Sequence, residues 1–240
     1  MRPDGYGELL LAHLEGEGRT REIVERDDGY IEATAGPQLY FEPFRRWPAH
    51  QRRAVRFMRG RVLDVGAGAG RVALELQDRG HEVVAVDVSP GAVEVCRRRG
   101  VRDARVVAFE DVDASIGPID TVVMFGNNFG LFGGAAKARR MLRRLHRLTT
   151  PQGRIVAETR HTFSTDNPDH VDYHERNRKR GRMPGQLRLR VRFRLAATPW
   201  FDYLIVSPDE LRELVAGSGW EVSRLIEGEA GIYVAVLDKA

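Results

Sequence analysis

The stretch that most constrains this chain is Val62 to Gly70, VLDVGAGAG, where an apolar run passes directly into glycines at alternate positions and then into the helical-looking RVALELQDRG. Val62, Leu63 and Val65 predict a buried strand, and Gly66, Gly68 and Gly70 let the backbone turn sharply and approach a ligand that a side chain would strike. The helix that follows aims its first N–H groups at the same place, which favours an anionic or carboxylate-bearing group. HEVVAVD, about twenty residues further on, predicts the next strand and ends at Asp87. An acidic side chain at a strand tip accepts from both hydroxyls of a ribose, so Asp87, with Val88 beside it, is the candidate ribose ligand.

Glycine spacing separates the cofactor classes that use this geometry. Dinucleotide binding favours G-x-G-x-x-G, whose third glycine lets the helix pack closely beneath a pyrophosphate. Here Arg71 occupies that third position. The pattern is instead D-x-G-x-G-x-G, with Asp64 two places before the first glycine, and it resembles motif I of the class I S-adenosylmethionine-dependent methyltransferases. The resemblance runs from Arg61 to the C-terminus. It implies an α/β fold: a seven-stranded, mostly parallel, doubly wound Rossmann-like sheet with an antiparallel last strand, plus an inserted β-hairpin and an N-terminal lid. It implies S-adenosyl-L-methionine as cofactor, held by Asp64, Gly66, Ala67, Gly68, Asp87 and Val88, with Glu110 or Asp111 beside the adenine amino group and Phe125 completing the set. The alternative is a tight strand-to-helix turn with no ligand.

The organisation expected is a lid over residues 1–60 and a methyltransferase domain over 61–240, with 161–206 inserted on the substrate side. The first segment opens on a helical-looking YGELLLAHLEGEG and continues with Tyr30, Tyr40, Phe41, Phe44 and Trp47. Those rings either pack against the cofactor or plug the lid onto the core. HQRRAVRFMRG then reads as a short helix. Ser89 and Pro90 predict a helix start, and Arg97, Arg98 and Arg99 read as a solvated last turn that complements the dipole.

IDTVVM, from Ile119 to Met124, predicts the next strand and ends at Phe125-Gly126-Asn127-Asn128. The resemblance places the transferable methyl group at this tip. Side-chain carbonyls of Asn127 and Asn128 suit the orientation of an amine, hydroxyl or ring nucleophile, although an asparagine-rich turn explains the same residues. The N/D-P-P-Y/F signature of some amino-group methyltransferases is missing, which weighs against a DNA-base or protein-glutamine substrate. Ala138, Met141, Leu142, Leu145 and Leu148 form a helical stripe with arginines opposite.

Within the insertion, LRLRVRFRL alternates strictly, so a strand places Arg188, Arg190, Arg192 and Arg194 on one face. TPWFDYLIVS is expected to pair with it across a turn at Ala196 to Pro199. The intervening RHTFSTDNPDHVDYHERN reads as a loop whose His and Asp spacing matches no compact metal motif, so no metal is assigned. His161, just past the fifth strand, is the candidate base for an alcohol or phenol acceptor, because imidazole titrates nearest neutrality. Ser207-Pro208-Asp209-Glu210 predicts a capping box, and Trp220 to Leu225 with Gly231 to Leu237 predict a closing antiparallel pair.

Cys96 is the sole cysteine, which excludes an internal disulfide framework. No apolar run reaches membrane length and no leader is evident, so the expectation is a soluble cytoplasmic protein without a membrane partner. The formal net charge of +4 is too modest to argue for nucleic acid by itself. The sequence thus predicts methyl transfer to nitrogen or oxygen of a small molecule, with a homo-oligomer open. Three rivals stand: an RNA or protein methyltransferase using the basic 176–194 run, a non-catalytic cofactor-binding protein, and a nicotinamide oxidoreductase, which Arg71 disfavours.

Overall fold

The computed structural model describes residues 4–17 and 20–240. In chain order the elements are α1 Gly5–Leu14, β1 Ile23–Arg26, β2 Ile31–Ala33, α2 Ala49–Ala54, β3 Val62–Val65, α3 Arg71–Asp78, β4 Val83–Asp87, α4 Pro90–Arg98, β5 Ala104–Val106 and β6 Ile119–Met124. Then come α5 Ala135–Leu148, β7 Thr149–Arg160, α6 Pro168–Lys179, β8 Gln186–Phe193, β9 Ala196–Ala197, β10 Phe201–Leu204, α7 Pro208–Val215, β11 Trp220–Glu227 and β12 Ile232–Lys239. The main sheet has the expected seven strands, ordered β5-β4-β3-β6-β7-β12-β11. Its β4–β5 and β6–β7 pairs are parallel, and β12 lies antiparallel between β7 and β11, which is the predicted closing pair.

The chain divides into two compact units, Met1–Trp47 with Leu63–Val112 and Arg188–Phe201, and Pro48–Val62 with Asp113–Leu187 and Asp202–Ala240. In the first, β4 is buried along its whole length, as its unbroken apolar run requires. Ser89 caps α4 by accepting from the Ala92 amide at 3.0 Å, with Pro90 at the first helical position. Helix α1 packs on α4 through one carboxylate: Asp4 accepts from Gly7 N, Ser89 Oγ and Gly91 N, each at 2.9 Å, and so serves the N-termini of both helices. Gly7 and Gly91 bring the two backbones together. A Cβ on Gly91 would sit 2.6 Å from Gly7 Cα and 2.8 Å from its carbonyl carbon, with no flexible atom to yield. Gly91→Ala is therefore expected to cost about 1–3 kcal/mol as an overpacked contact, read as a lowered urea midpoint at unchanged slope.

The same unit holds a small sheet. Strand β8 pairs antiparallel with β1, opposing Arg190 to Glu25 and Arg192 to Ile23, and β1 pairs with β2. The hairpin turn falls earlier than expected: Arg192 and Phe193 already pair with Ala197 and Ala196, and Arg194 takes a positive φ of 53° at the bend. The arginine face is used internally. Arg190 binds Glu25 through two nitrogens at 2.8 and 2.9 Å, Arg192 reaches the same carboxylate at 3.0 Å, and Arg194 pairs with Glu17. The Arg190 and Arg192 guanidinium groups hold the Glu25 carboxyl below its ordinary range.

Most N-terminal rings also have partners in this unit. Arg71 lies 4.6 Å over Trp47, Arg79 4.4 Å over Phe44 and Arg99 4.7 Å over Phe41. They tie the segment to α3 and α4 by cation–π contacts. Helix α1 ends at Leu14, short of the predicted start's full length, and Gly18 lies outside the described residues.

In the second unit, α5 buries Ala138, Met141, Leu142 and Leu145, and Trp220 Nε1 donates to Leu142 O at 2.9 Å. The capping box forms as read: Ser207 Oγ accepts from Glu210 N at 3.2 Å while Glu210 Oε2 accepts from Ser207 N at 2.7 Å. The stretch expected as a loop after His161 contains α6 instead. Asn167 caps it, accepting from Asp169 N at 3.0 Å, and Pro168 occupies its first position. No broad apolar stripe announced it, because only Tyr173, His174 and Asn177 are buried along it. Among the described residues no helix is long and apolar enough to cross a membrane.

Candidate active site

The glycine turn sits at the C-terminal end of β3. Gly66, Gly68 and Gly70 have φ of 71°, 56° and 77°, conformations that strongly favour glycine. Gly66 N and Ala67 N donate to Val86 O at 2.9 and 3.1 Å, fixing the turn against β4. Gly68 also needs its missing side chain, because a Cβ there would lie 2.7 Å from the Tyr6 hydroxyl. At Gly70 a Cβ would meet Val101 Cγ2 at 2.7 Å and Cys96 Sγ at 3.0 Å, so the third glycine serves the packing of α3 on α4.

Asp87 ends β4 and is 7% exposed. Its Oδ2 accepts from Gly68 N and its Oδ1 from Ser89 N, both at 2.9 Å. One carboxylate therefore fixes the glycine turn and the start of the α4 turn together, with the Val88 amide as a third backbone donor. Burial raises the Asp87 carboxyl above its ordinary range, with the Ser89 and Gly68 amides opposing. Asp64, 2% exposed, lies on β3 and has Oδ2 buried without a partner. Burial pushes its carboxyl up to about 7, against the pull of the nearby Arg71 charge and an Ala73 amide. Val88 is exposed next to Asp87, and Glu110 and Asp111 lie exposed on a 3₁₀ turn after β5 whose Phe109 is buried.

Sequence reading missed Tyr6, Glu22 and Arg99 in this unit. The Tyr6 hydroxyl covers Gly68, and its ring meets Tyr40 edge-on at 5.7 Å. Tyr40 in turn donates to both oxygens of Glu22 at 3.1 Å, and Thr34 Oγ1 donates to Glu22 at 2.6 Å. Arg99 is not part of a solvated turn: its guanidinium donates to the Ala69 carbonyl within the glycine turn, at 2.5 Å. Cys96 donates to Gly68 O at 3.2 Å, and burial pushes its thiol up to about 12, so it packs and does not react.

In the second unit, Phe125 is buried at the end of β6, and Gly126 and Asn127 follow with φ of 73° and 62°. Asn128 opens a 3₁₀ helix that runs to Phe132. Asn127 O accepts from the Tyr203 hydroxyl at 2.5 Å, while Asn127 Oδ1 is buried with no hydrogen-bond partner. His161 stands beyond β7, where its own amide donates to Gly231 O at 2.8 Å. Its Nδ1 accepts from Phe163 N at 3.1 Å, which leaves the proton of the neutral ring on Nε2. His161, Phe163 and His174 follow one another edge to face at 5.9 and 6.4 Å. Among the described residues no group of three His, Cys, Asp or Glu side chains is arranged to hold a metal ion.

With this geometry in hand, likeness to known proteins is informative. Residues 62–153 match a family described as a methyltransferase domain. Over 113 residues the chain is 39% identical to the demethylmenaquinone methyltransferase of Clavibacter sepedonicus, covering 46% of this chain and 45% of that protein. The chain therefore spans less than half the length of that curated relative. A crystal structure of an S-adenosylmethionine-dependent methyltransferase from Bacteroides fragilis, in complex with S-adenosyl-L-homocysteine, is 28% identical with a TM-score of 0.83, covering 99% of this chain and 95% of the other. The 1,6-didemethyltoxoflavin-N1-methyltransferase of Burkholderia thailandensis, 22% identical with a TM-score of 0.52 over 80% of this chain and 79% of its own, shares the fold.

Proposed function

We infer that this chain, a class I S-adenosylmethionine-dependent methyltransferase by its matched domain and sheet order, transfers a methyl group to nitrogen or oxygen of a small-molecule acceptor. The observation that carries the reading is the left-handed glycine turn whose Gly68 amide is held by Asp87, beside a buried Asp64 oxygen with no protein partner. Those groups suit S-adenosylmethionine: Asp87 the ribose hydroxyls, the left-handed turn at Gly66, Ala67 and Gly68, with Tyr6 over it, the amino-acid portion, and Val88, Glu110 and Asp111 the adenosine. A nicotinamide dinucleotide fits less well, since Arg71 stands where its pyrophosphate turn favours glycine.

When bound, the cofactor supplies a methyl carbon already activated by its sulfonium. The protein's task is alignment and exclusion of water. Asn127 and Asn128 orient the acceptor through their side-chain amides. Bound there, the cofactor would give its methyl group to the acceptor lone pair and leave as S-adenosylhomocysteine, with the acceptor proton going to solvent. His161 acts as the base toward a hydroxyl acceptor once the Phe163 N–Nδ1 hydrogen bond yields and the ring proton sits on Nδ1, leaving Nε2 free to accept. The RNA reading loses ground because Arg190, Arg192 and Arg194 already bind Glu25 and Glu17, which phosphates would have to displace.

Calorimetric titration with S-adenosylhomocysteine beside NADH tests the cofactor. The expected result is micromolar binding of the first alone; preference for NADH overturns the reading. An acceptor screen follows, in which His161→Ala is expected to lower turnover of a hydroxyl acceptor about tenfold at unchanged cofactor affinity, the scale of one lost hydrogen bond to the reacting group. Tight cofactor binding without turnover of any small molecule, RNA or peptide would instead favour the non-catalytic reading.

A further inference from the structure

A buried acid that the proposed mechanism does not use lies on β7. Glu158 is 2% exposed, and four donors converge on its carboxylate. Oε1 meets His50 Nε2 at 2.8 Å, and Oε2 accepts from Gln51 Nε2 at 2.7 Å, Gly126 N at 2.5 Å and, more weakly, Asn127 N at 3.4 Å. Two donors thus come from α2 and two from the loop that leaves β6.

The loop's need for this acceptor follows from its backbone. Gly126 and Asn127 are consecutive residues with positive φ, so the chain leaves the sheet and their amides lose any ladder partner. Asparagine tolerates the left-handed region better than most residues, but the conformation persists only where its surroundings enforce it. Glu158 holds the amide side of Asn127 and the Tyr203 hydroxyl holds its carbonyl at 2.5 Å. With the main chain pinned on both sides, the side-chain oxygen Oδ1 is the atom left without a partner.

We propose that Glu158 is a positioning residue: by anchoring the Gly126 and Asn127 amides it fixes the Asn127 side-chain carbonyl where that group accepts a hydrogen bond from an N–H or O–H of the methyl acceptor. This rests on the acceptor-orienting role given to Asn127 above. It accounts for a charged group at a site where an apolar side chain would fill the space without desolvation, because an apolar side chain cannot receive the loop amides.

The test compares Glu158→Met, which keeps the bulk and removes the acceptor, with Glu158→Gln. A glutamine can present its carbonyl to Gln51, Gly126 and Asn127 and donate its amide to His50 in the other tautomer. Amide exchange needs no acceptor molecule. In wild type, Gly126 is expected to be protected although it lies exposed in a loop; Glu158→Met is expected to speed its exchange, and that of Asn127, about tenfold or more, while Glu158→Gln stays close to wild type. Free exchange of Gly126 in wild type overturns the proposal even if the methionine variant does not fold.

On an acceptor found by the screen, kcat of Glu158→Met is expected to fall about tenfold to a hundredfold, with Glu158→Gln restoring most of it and the S-adenosylhomocysteine Kd unchanged in both. Equal kcat in all three proteins, or a parallel loss of cofactor affinity, also overturns it. Failure of wild type to bind S-adenosylhomocysteine would sink the methyltransferase reading and leave the exchange result standing, so the two failures are distinguishable.

Discussion

Asp87→Ala is expected to raise the Kd for S-adenosylhomocysteine about a hundredfold or more, beyond the range of micromolar calorimetry. Two charge-assisted hydrogen bonds to ribose hydroxyls at about 1.5 kcal/mol each already amount to roughly that factor. The substitution also removes the acceptor for Gly68 N and Ser89 N, both at 2.9 Å, so the glycine turn and the start of α4 lose their common anchor. Asp87→Asn keeps one carbonyl oxygen and is expected to fall between alanine and wild type. Thermal unfolding of the ligand-free proteins separates the two contributions, since a pure ligand contact leaves the Tm unmoved while loss of the anchor lowers it. Because burial raises the Asp87 carboxyl, affinity is also expected to weaken as pH falls through that raised value. Micromolar affinity retained in Asp87→Ala would mean that the ribose lies elsewhere and that the strand-tip assignment is wrong.

What the chain disclosed in advance were the features whose physics is local. VLDVGAGAG, the acid at the tip of HEVVAVD, the Ser89-Pro90 start and the Ser207-to-Glu210 box each involve residues a few places apart, and each formed as read. The arginine strand was legible as a strand, yet the use of its charged face was not. Glu25, which binds Arg190 and Arg192, lies 165 and 167 positions away, and no period in LRLRVRFRL points to it. Helix α6 announced its start in Asn167-Pro168, but a helix burying so few side chains lacks the apolar stripe by which helices are recognised. Glu158 was hidden for the same reason as Glu25. Its donors come from residues 107 and 108 positions earlier and from a loop about thirty positions earlier, and a lone Glu closing an apolar strand reads as an ordinary strand end.

Asp64→Asn is expected to stabilise the ligand-free protein increasingly as pH rises, by as much as about 4 kcal/mol near pH 8. Asp64 is 2% exposed, and burial pushes its carboxyl from 3.8 in the unfolded chain up to about 7 in the folded one. The folded state therefore binds the proton more tightly than the unfolded state does. The stability this contributes is fully present below about pH 4 and is lost as pH rises through 7, at up to about 1.4 kcal/mol per pH unit between the two values. Asparagine is neutral throughout and nearly the same size, so it escapes that loss. Urea unfolding of both proteins at pH 5, 6, 7 and 8 reads the difference directly. The curves are expected to diverge steadily and then run parallel above pH 7. Exposed acids whose carboxyls are lowered, such as Asp113, act in the opposite sense, but they are common to both proteins and cancel in the comparison. Curves that stay parallel from pH 5 would mean that the Arg71 charge and the Ala73 amide offset the burial of Asp64 in full. The Asp64 carboxylate would then be as well stabilised by those two groups in the folded protein as by water in the unfolded chain.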